Sequence, residues 1–310
     1  MARPNTVKHL ACALIAVLLL LGACSVEREG NACVDELAWE SALLEHREQK
    51  DEEFRTSSTS PMAGRQYLKS EPKERVWLTR EGKSFELAYA EPHEASVSVS
   101  KSENGWHWSA LEDGVTCRVL DEDVRDGSLL EGPASILVGK MQLSLYTSDE
   151  RVTFIVFDPD RPEKVAFEHL LYFPPDIRYA VDAQLVTLDD PEPVEMLTSR
   201  NLIKTFYRYA KIRFRLEGRE HELSAFKSKP TGTDSTGLFI PFRDRTSGNE
   251  TYGSGRFLEI DEPDDENFVL DFNRCFNPLC NYSPAYNCPI PPRENRLTVA
   301  IRAGEKTYPH

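Results

Sequence analysis

The sequence predicts a mostly β protein: an antiparallel sandwich or a set of barrel-like sheets, with one N-terminal helix. Beyond residue 75 apolar residues recur at every second position, as at Phe85, Leu87 and Tyr89. This period is typical of strands with one buried face. Gly, Pro, Asn or Asp residues bound each short run, and no long helical segment separates the runs. Together these features exclude a doubly wound α/β fold.

The N-terminus has the parts of an export signal. Arg3 and Lys8 form a basic start, and the apolar run at residues 10–23 is shorter than the roughly 20 residues that span a bilayer. Leu21-Gly22-Ala23-Cys24 resembles the lipobox of bacterial lipoproteins, in which the cysteine thiol is acylated and the chain is cut before it. The resemblance implies a palmitate-type lipid attachment at Cys24. The alternative is an ordinary signal peptide with a chance cysteine.

The expected organisation has three parts. Residues 1–23 are the signal peptide, residues 24–62 are a lipidated tether with a polar helix, and residues 63–310 are a β-rich domain. The helical pattern runs over residues 34–54, with a narrow apolar stripe at Leu37, Leu43 and Leu44 that Trp39 can extend. A disordered spacer is the alternative. The β-rich part forms one domain or two β modules, with a soft boundary near residue 160, where prolines and charges cluster.

The charge of the chain excludes some partners. The formal charge is −14, and removal of Arg3 and Lys8 with the signal peptide makes it −16. A chain this acidic is not expected to bind nucleic acid or to dock electrostatically on anionic lipid. The lipid on Cys24 is therefore the expected link to the membrane, with the domain facing the periplasm or the exterior. Ser25 stands where inner-membrane retention signals usually have Asp, which favours the outer membrane in a Gram-negative organism.

The strand pattern continues along the whole β-rich part. Lys211, Arg213 and Arg215 alternate with apolar residues, which predicts a strand with one solvent-facing side. Trp106 and Trp108 share one face of another strand, and they belong either to the core or to a surface that stacks on a sugar ring. The predicted strands beyond residue 130 lie at residues 135–146, 152–158, 179–188, 204–216, 220–226, 237–242, 256–260, 268–272 and 297–302.

The cysteines predict one disulfide. Five remain after Cys12 leaves with the signal peptide and Cys24 is lipidated, so at least one thiol stays free. Cys280 and Cys288 are separated by the turn-forming residues NYSPAYN, and outside the cytoplasm such a pair is expected to be bonded. Cys275 competes for either partner. A thiolate metal site has no further ligand nearby, and the histidines are scattered singly, so we expect no metal and no cofactor.

The C-terminal third is rich in Asp, Asn, Arg, Gly and Pro. Here the chain resembles a bacterial family of unknown function, number 1684 in the series of such domains. The family signature is a Phe-x-Asp-x-Thr-x-Gly run followed by short motifs that contain Gly-Arg, Asp-Phe-Asn, Cys-Pro-x-Pro-Pro and Asn-Arg-Leu. The resemblance implies a β-rich fold, but no activity or ligand. The matching residues are Phe242, Asp244, Thr246, Gly248, Thr251, Tyr252, Gly255, Arg256, Asp271, Phe272, Asn273, Asn277, Pro278, Cys280, Cys288, Pro289, Pro291, Pro292, Asn295, Arg296, Leu297, Gly304 and Glu305.

The polar residues of this segment allow three interpretations. They can bind a polar ligand, such as a glycan or another envelope protein. Two of Asp244, Asp271 and Glu294 can act as the acid and base of a hydrolase. The same side chains can instead cap turns and lock irregular loops. We expect a non-catalytic envelope lipoprotein in which Arg256 bridges at least one carboxylate. The candidate ligand-binding residues are Asp244, Thr246, Tyr252, Arg256, Asp271, Asn273, Glu294 and Asn295.

Overall fold

A computed structural model describes residues 35–230 and 237–309. The predicted signal peptide, the lipobox and the lipid attachment site Cys24 lie outside these residues. No helix within the described part is both long enough and apolar enough to cross a membrane. The described chain is mostly β, with antiparallel sheets and one long N-terminal helix, which confirms the predicted fold class.

The predicted N-terminal helix is present as α1 (Glu36–Thr56). The side chain of Asp35 accepts a hydrogen bond from the backbone N–H of Ala38 at 3.2 Å and so caps the first turn. The predicted apolar stripe is only partly correct. Leu43 is buried, but Leu37 and Leu44 are exposed. The second apolar contact of the helix is Phe54, which packs against Phe167 and Tyr282, and polar contacts also hold the helix.

These polar contacts dock α1 on the C-terminal half of the chain. Arg47 donates to the backbone carbonyl of Phe173 at 3.0 Å, and its guanidinium lies 4.5 Å from the centroid of the Tyr172 ring. One turn later, Lys50 pairs with the buried carboxylate of Glu305 at 2.8 Å. The helix is therefore an ordered part of the domain and not a spacer.

Residues 64–157 form a sandwich of two antiparallel sheets. One sheet has the order β1-β10-β9-β8-β6-β7 and the other the order β3-β2-β4-β5. Side chains from both sheets fill one core, and it includes Trp106 and Trp108, so the core interpretation of this pair is confirmed. The strands are β1 (Gly64–Lys69), β2 (Arg75–Glu81), β3 (Ser84–Ala88), β4 (Val97–Ser102), β5 (Gly105–Ala110), β6 (Thr116–Val119), β7 (Glu122–Val124), β8 (Ala134–Val138), β9 (Met141–Thr147) and β10 (Val152–Phe157).

The prediction of one strand at residues 135–146 is wrong. The chain turns back between β8 and β9, which pair with each other. Gly139 in this turn has a φ of +60°, a left-handed conformation that glycine adopts without a steric penalty. The apolar alternation on both sides of the turn has the same period, which hides the hairpin in the sequence.

A short helix, α2 (Pro162–Val165), leads from the sandwich to a third sheet. This sheet is antiparallel and has the order β15-β14-β13-β12-β11-β16. Arg213 and Arg215 are exposed while Ile212 and Phe214 are buried, as the alternation predicted. The strands are β11 (Ala180–Leu197), β12 (Ile203–Leu216), β13 (Arg219–Lys227), β14 (Gly237–Phe242), β15 (Arg256–Asp261) and β16 (Asn267–Asp271).

The predicted strand at residues 297–302 is not a strand. Leu297, Val299 and Ile301 are buried in the core of the third sheet, so the alternation correctly indicates burial. Their segment, however, crosses one face of the sheet and does not join its ladder. Its backbone is held by Arg243, whose carbonyl accepts from Leu297 N–H at 2.8 Å, and by an Asp244 side chain.

The opposite face of the third sheet is also covered, and this covering creates a cleft. On β14, Leu238 and Ile240 point into the larger core, while Phe239 between them points to the other side. There Phe239 packs with Phe206 and with Phe257. The loop at residues 276–289 and part of the N-terminal sandwich close over this side.

A β-bulge sets which side chains of β12 reach this covered side. The pairing between β12 and β13 shifts by one residue between Arg208 and Ala210, so Tyr209 is the extra residue. An extra residue of this kind changes the face of the sheet to which the following side chains of the strand point. Ala210 therefore faces the larger core, whereas Phe206 faces the opposite side of the sheet.

Candidate functional site

Asp244 and Arg256 form a buried ion pair. The guanidinium of Arg256 donates to Asp244 Oδ2 at 3.4 Å, and both side chains are 0% exposed. Its remaining donors bind the backbone carbonyl of Ile301 at 2.7 Å, that of Glu305 at 3.2 Å and that of Ala303. Arg256 thus fastens the C-terminal segment to β15.

The carboxylate of Asp244 is occupied by donors of the protein itself. Thr246 Oγ1 donates to it at 2.8 Å, Ser247 Oγ at 3.1 Å and the backbone N–H of Ile301 at 2.6 Å. The hydroxyl of Thr246 is also within 2.8 Å of the Thr251 hydroxyl. Because Asp244 and Thr246 are buried and already bonded, neither presents a group to a ligand. We call this group the Asp244–Arg256 lock.

Asp271 and Asn273 form a second group that joins distant segments. Asp271 Oδ1 accepts from the backbone N–H of Asn273 at 2.9 Å, and Asp271 Oδ2 accepts from Trp39 Nε1 of α1 at 2.9 Å. Asn273 Oδ1 in turn accepts from the backbone N–H of Asp176 at 3.0 Å. These contacts position α1 and the segment before β11.

Glu294 and Asn295 are neighbours with different environments. The Glu294 side chain is 41% exposed and pairs with Arg208 at 2.7 Å. Asn295 is fully buried, where its side chain accepts from the Ser224 N–H at 2.7 Å and donates to the carbonyl of Pro241 at 2.7 Å. Asn295 therefore holds its loop against β13 and β14, while Glu294 is a surface residue.

Tyr252 lies beside the two predicted disulfide partners. Its hydroxyl donates to Cys280 Sγ at 3.6 Å, and the backbone N–H of Cys280 donates to Cys288 Sγ at 3.2 Å. The hydrogen bond from the Cys288 thiol lowers the pKa of Cys280 to about 6. In the described chain both cysteines are free thiols, so the predicted disulfide is not formed in this structure, although the two residues are in contact.

The structure thus divides the residues that the sequence placed in one site among different hydrogen-bonded groups. Within the described residues, no hydrogen bond or ion pair joins the side chains of Asp244, Asp271 and Glu294 to one another. Arg256 bridges one carboxylate, that of Asp244. The other candidates lock separate loops or lie at the surface.

A different site is present on the covered side of the third sheet. Five phenylalanines from four strands and one loop line a cleft of ≈ 610 Å³, and we call it the phenylalanine cleft. Three ring contacts connect four of these side chains, with centroid distances of 5.5 Å for Phe206–Phe239, 4.8 Å for Phe239–Phe257 and 6.0 Å for Phe257–Phe276. Phe226 completes the wall.

Charged and polar residues surround the aromatic wall. The charged residues that line the cleft are Lys204, Lys227 and Glu259. Lys227 pairs with Glu262 at 2.6 Å, and the Lys204 ammonium lies 4.9 Å from the centroid of the Phe206 ring. Glu259 pairs across the ladder with Phe239, so its carboxylate projects beside the central ring. Burial raises the pKa of Glu259.

Comparison with known proteins places the third sheet in a family. Residues 165–306 match the family described as "Protein of unknown function (DUF1684)". The chain belongs to this family. An uncharacterized protein of Haloarcula marismortui, solved by solution NMR, is 37% identical; the match covers 48% of this chain and 81% of that one, with a TM-score of 0.40. No curated protein matches the chain significantly.

The phenylalanine cleft lies entirely within the DUF1684 segment, yet the sequence did not lead us to it. One signal was available. The run Gly237–Phe242 has no polar residue in its interior, and such continuous runs indicate strands that are buried on both faces. The cleft also needs rings from strands that are distant in sequence, and their assembly is visible only in the fold.

Proposed function

We propose that this protein is an envelope lipoprotein that binds a small ligand with an apolar body in the phenylalanine cleft. One observation supports this above all others: five phenylalanines line a single cleft of ≈ 610 Å³. Ligand sites typically have volumes of roughly 300–1,000 Å³, with mostly apolar and aromatic walls and a few polar groups. The cleft fits each of these criteria.

The arrangement of the carboxylates favours binding over the hydrolase alternative. An acid and base must both reach the substrate. Asp244 is 0% exposed and bonded to Arg256, Asp271 is bonded to Trp39, and Glu294 pairs with Arg208. We therefore propose a binding protein, and we propose an apolar ligand in place of the glycan or protein that the polar motifs suggested.

The membrane anchor remains part of the proposal. Cys24 stands in a lipobox-like sequence, and the first described helix begins only at Glu36. A short tether would hold the cleft near the membrane surface, where apolar molecules are concentrated. Export would also expose Cys280 and Cys288 to oxidation, and we propose that they form a disulfide beside the cleft, which Cys288 lines.

A neutral aromatic probe tests the proposed function. Binding of 2-(2-naphthyl)ethanol to the full-length protein in nanodiscs of neutral phospholipid is measured by calorimetry, with empty nanodiscs as the blank. Leu279→Trp at the edge of the cleft should weaken binding, because the larger side chain occupies part of the cleft. Leu137→Trp, on β8 of the sandwich, is the matched control, since the two leucines are 40% and 43% exposed. Absence of binding to the wild type, or equal binding by both variants, would refute the proposal.

A further inference from the structure

We propose that the ligand of the phenylalanine cleft is an organic cation: an amine or quaternary ammonium group on an apolar or aromatic body, with its charge received by Glu259. This inference rests on the proposed function and deepens it, because it names the chemical class of the ligand. It follows from the position of the Glu259 carboxylate, from the contacts of Lys204 and Lys227, and from the cation contacts that the aromatic rings already make.

Glu259 is placed next to the centre of the aromatic wall. It lies opposite Phe239 in the β14–β15 ladder, and Phe239 in turn lies opposite Phe226 in the β13–β14 ladder. Side chains opposite each other in a ladder share one face of the sheet. The carboxylate and both rings therefore face the same cleft, and Glu259 lines it.

Glu259 is the acidic residue that lines the cleft, and Lys50 is the cation that acts on its carboxylate at longer range. That carboxylate makes no hydrogen bond and no ion pair with any of the residues that the structure describes. Lys227, by contrast, is neutralised by Glu262 at 2.6 Å and lies 3.8 Å from the centroid of the Tyr209 ring. A ligand that enters the cleft therefore meets a carboxylate without a hydrogen-bond or ion-pair partner among the described residues. Lys204, the other charged residue of the cleft without an ion pair in that part of the chain, lies over the Phe206 ring.

The rings of the cleft already attract cations. The ammonium of Lys204 lies 4.9 Å from the centroid of the Phe206 ring, and the ammonium of Lys50, from α1, lies 4.6 Å from that of Phe276. Cations within about 6 Å of a ring centroid are attracted by the ring quadrupole. An organic cation placed between Phe239 and Glu259 would gain both this attraction and a charge-assisted hydrogen bond or ion pair.

The electrostatic state of Glu259 agrees with this placement. Burial raises its pKa, and Lys50 opposes this effect. Glu259 is nevertheless an exposed residue, so its carboxylate is open to a molecule from solvent, and no strong partner within the described residues stabilises it. Desolvated groups interact more strongly with an opposite charge than solvated ones do, so a bound cation would stabilise the ionised form.

Three probes of one shape test the inference: 2-(2-naphthyl)ethylamine, 2-(2-naphthyl)ethanol and 2-naphthylacetate, which are a cation, a neutral molecule and an anion. The full-length protein in nanodiscs of neutral phospholipid is titrated with each, and empty nanodiscs serve as the blank. We expect the amine to bind roughly tenfold or more tightly than the alcohol, from a charge-assisted contact and a cation–π contact together.

Glu259→Gln assigns this preference to one residue. The substitution keeps the shape of the side chain and removes its charge, so the amine should lose its preference over the alcohol. Glu86→Gln, at an exposed position of β3 in the sandwich, is the matched control and should leave all three affinities as in the wild type. A melting curve of each variant confirms that it is folded.

The outcomes separate this inference from the proposed function. If the alcohol binds but the wild type shows no preference for the amine, the cation inference is wrong and the apolar cleft stands. Tighter binding of the acetate would also overturn the inference, and it would assign the charge recognition to Lys204. A preference for the amine that survives in Glu259→Gln would also overturn the inference, because another group would then receive the charge. If none of the three probes binds, the proposed function itself fails.

Discussion

Asp244→Asn should destabilise the protein without any direct effect on the phenylalanine cleft. The substitution keeps the shape of the side chain but leaves Arg256 as a buried cation without a counter-charge, since both side chains of the pair are 0% exposed. The hydroxyls of Thr246 and Ser247, which now donate to the carboxylate, can rotate to accept from the new amide. The loss is therefore mainly that of the charge.

The expected loss lies near the low end of the range for breaking a buried pair from one side, about 3 kcal/mol. For a domain of this size the melting temperature should fall by roughly 6–12 °C. Thermal and urea unfolding measure both values. Glu294→Gln is the matched control: its exposed pair with Arg208 contributes about 0–1 kcal/mol, and Glu192 still pairs with Arg208.

Two results would refute this reasoning. If Asp244→Asn melts within about 2 °C of the wild type, the buried pair does not stabilise the fold. If instead the variant keeps its stability but loses binding of the naphthyl probes, Asp244 belongs to the ligand site. Loss of stability with unchanged probe affinity in the folded protein supports the lock.

Three further predictions follow from the anchor, the cysteines and the cleft. Metabolic labelling with a fatty-acid analogue should mark the wild type and not Cys24→Ala; an unlabelled wild type would exclude the lipid anchor. Peptide mapping of exported protein without reductant should find Cys280 joined to Cys288, and reduction should lower the free energy of unfolding by roughly 2.5 kcal/mol, the loop-closure value for so short a loop; two free thiols would contradict this. Because burial raises the pKa of Glu259, its ionisation opposes folding, and the resulting loss of stability grows as the pH rises through that pKa. Glu259→Gln should therefore be more stable than the wild type at pH 7 and equal to it well below the usual Glu pKa of about 4.3, as measured by urea unfolding at both pH values.

Much of the secondary structure was readable from the sequence, and two of the errors have one cause. The prediction at residues 135–146 joined two strands, and that at residues 297–302 made a strand of an irregular segment. In both places the alternation of apolar residues indicates alternating burial. A hairpin, or an irregular segment packed on a sheet, shows the same burial pattern as a single strand. Only the hydrogen-bond partners of the backbone distinguish these cases, and they are distant in sequence.

The polar motifs of the C-terminal third are prominent in the sequence, but in the structure several of their residues hold loops in place. Asp244, Arg256 and Asn295 belong to the family pattern, and each is buried and bonded to backbone groups of a segment that is distant in sequence. Irregular loops need such partners, because a buried carbonyl or N–H without one is costly. Polar motif residues in a segment with little regular structure therefore indicate hydrogen bonds that hold a loop at least as much as they indicate a ligand site.

By itself, the sequence predicted the strand class, the two faces of β12 from Lys211 to Leu216 and the N-terminal helix, because these depend on local periodicity alone. The tertiary structure decided where the cleft lies. A bulge at Tyr209 turns Phe206 away from the core that Ala210 enters, although both residues have the same parity in the sequence. Phe206 then lies near Phe239 and Glu259 only because of the order of the strands in the sheet. Strand order and bulges depend on non-local pairing, so no local pattern could have revealed this juxtaposition.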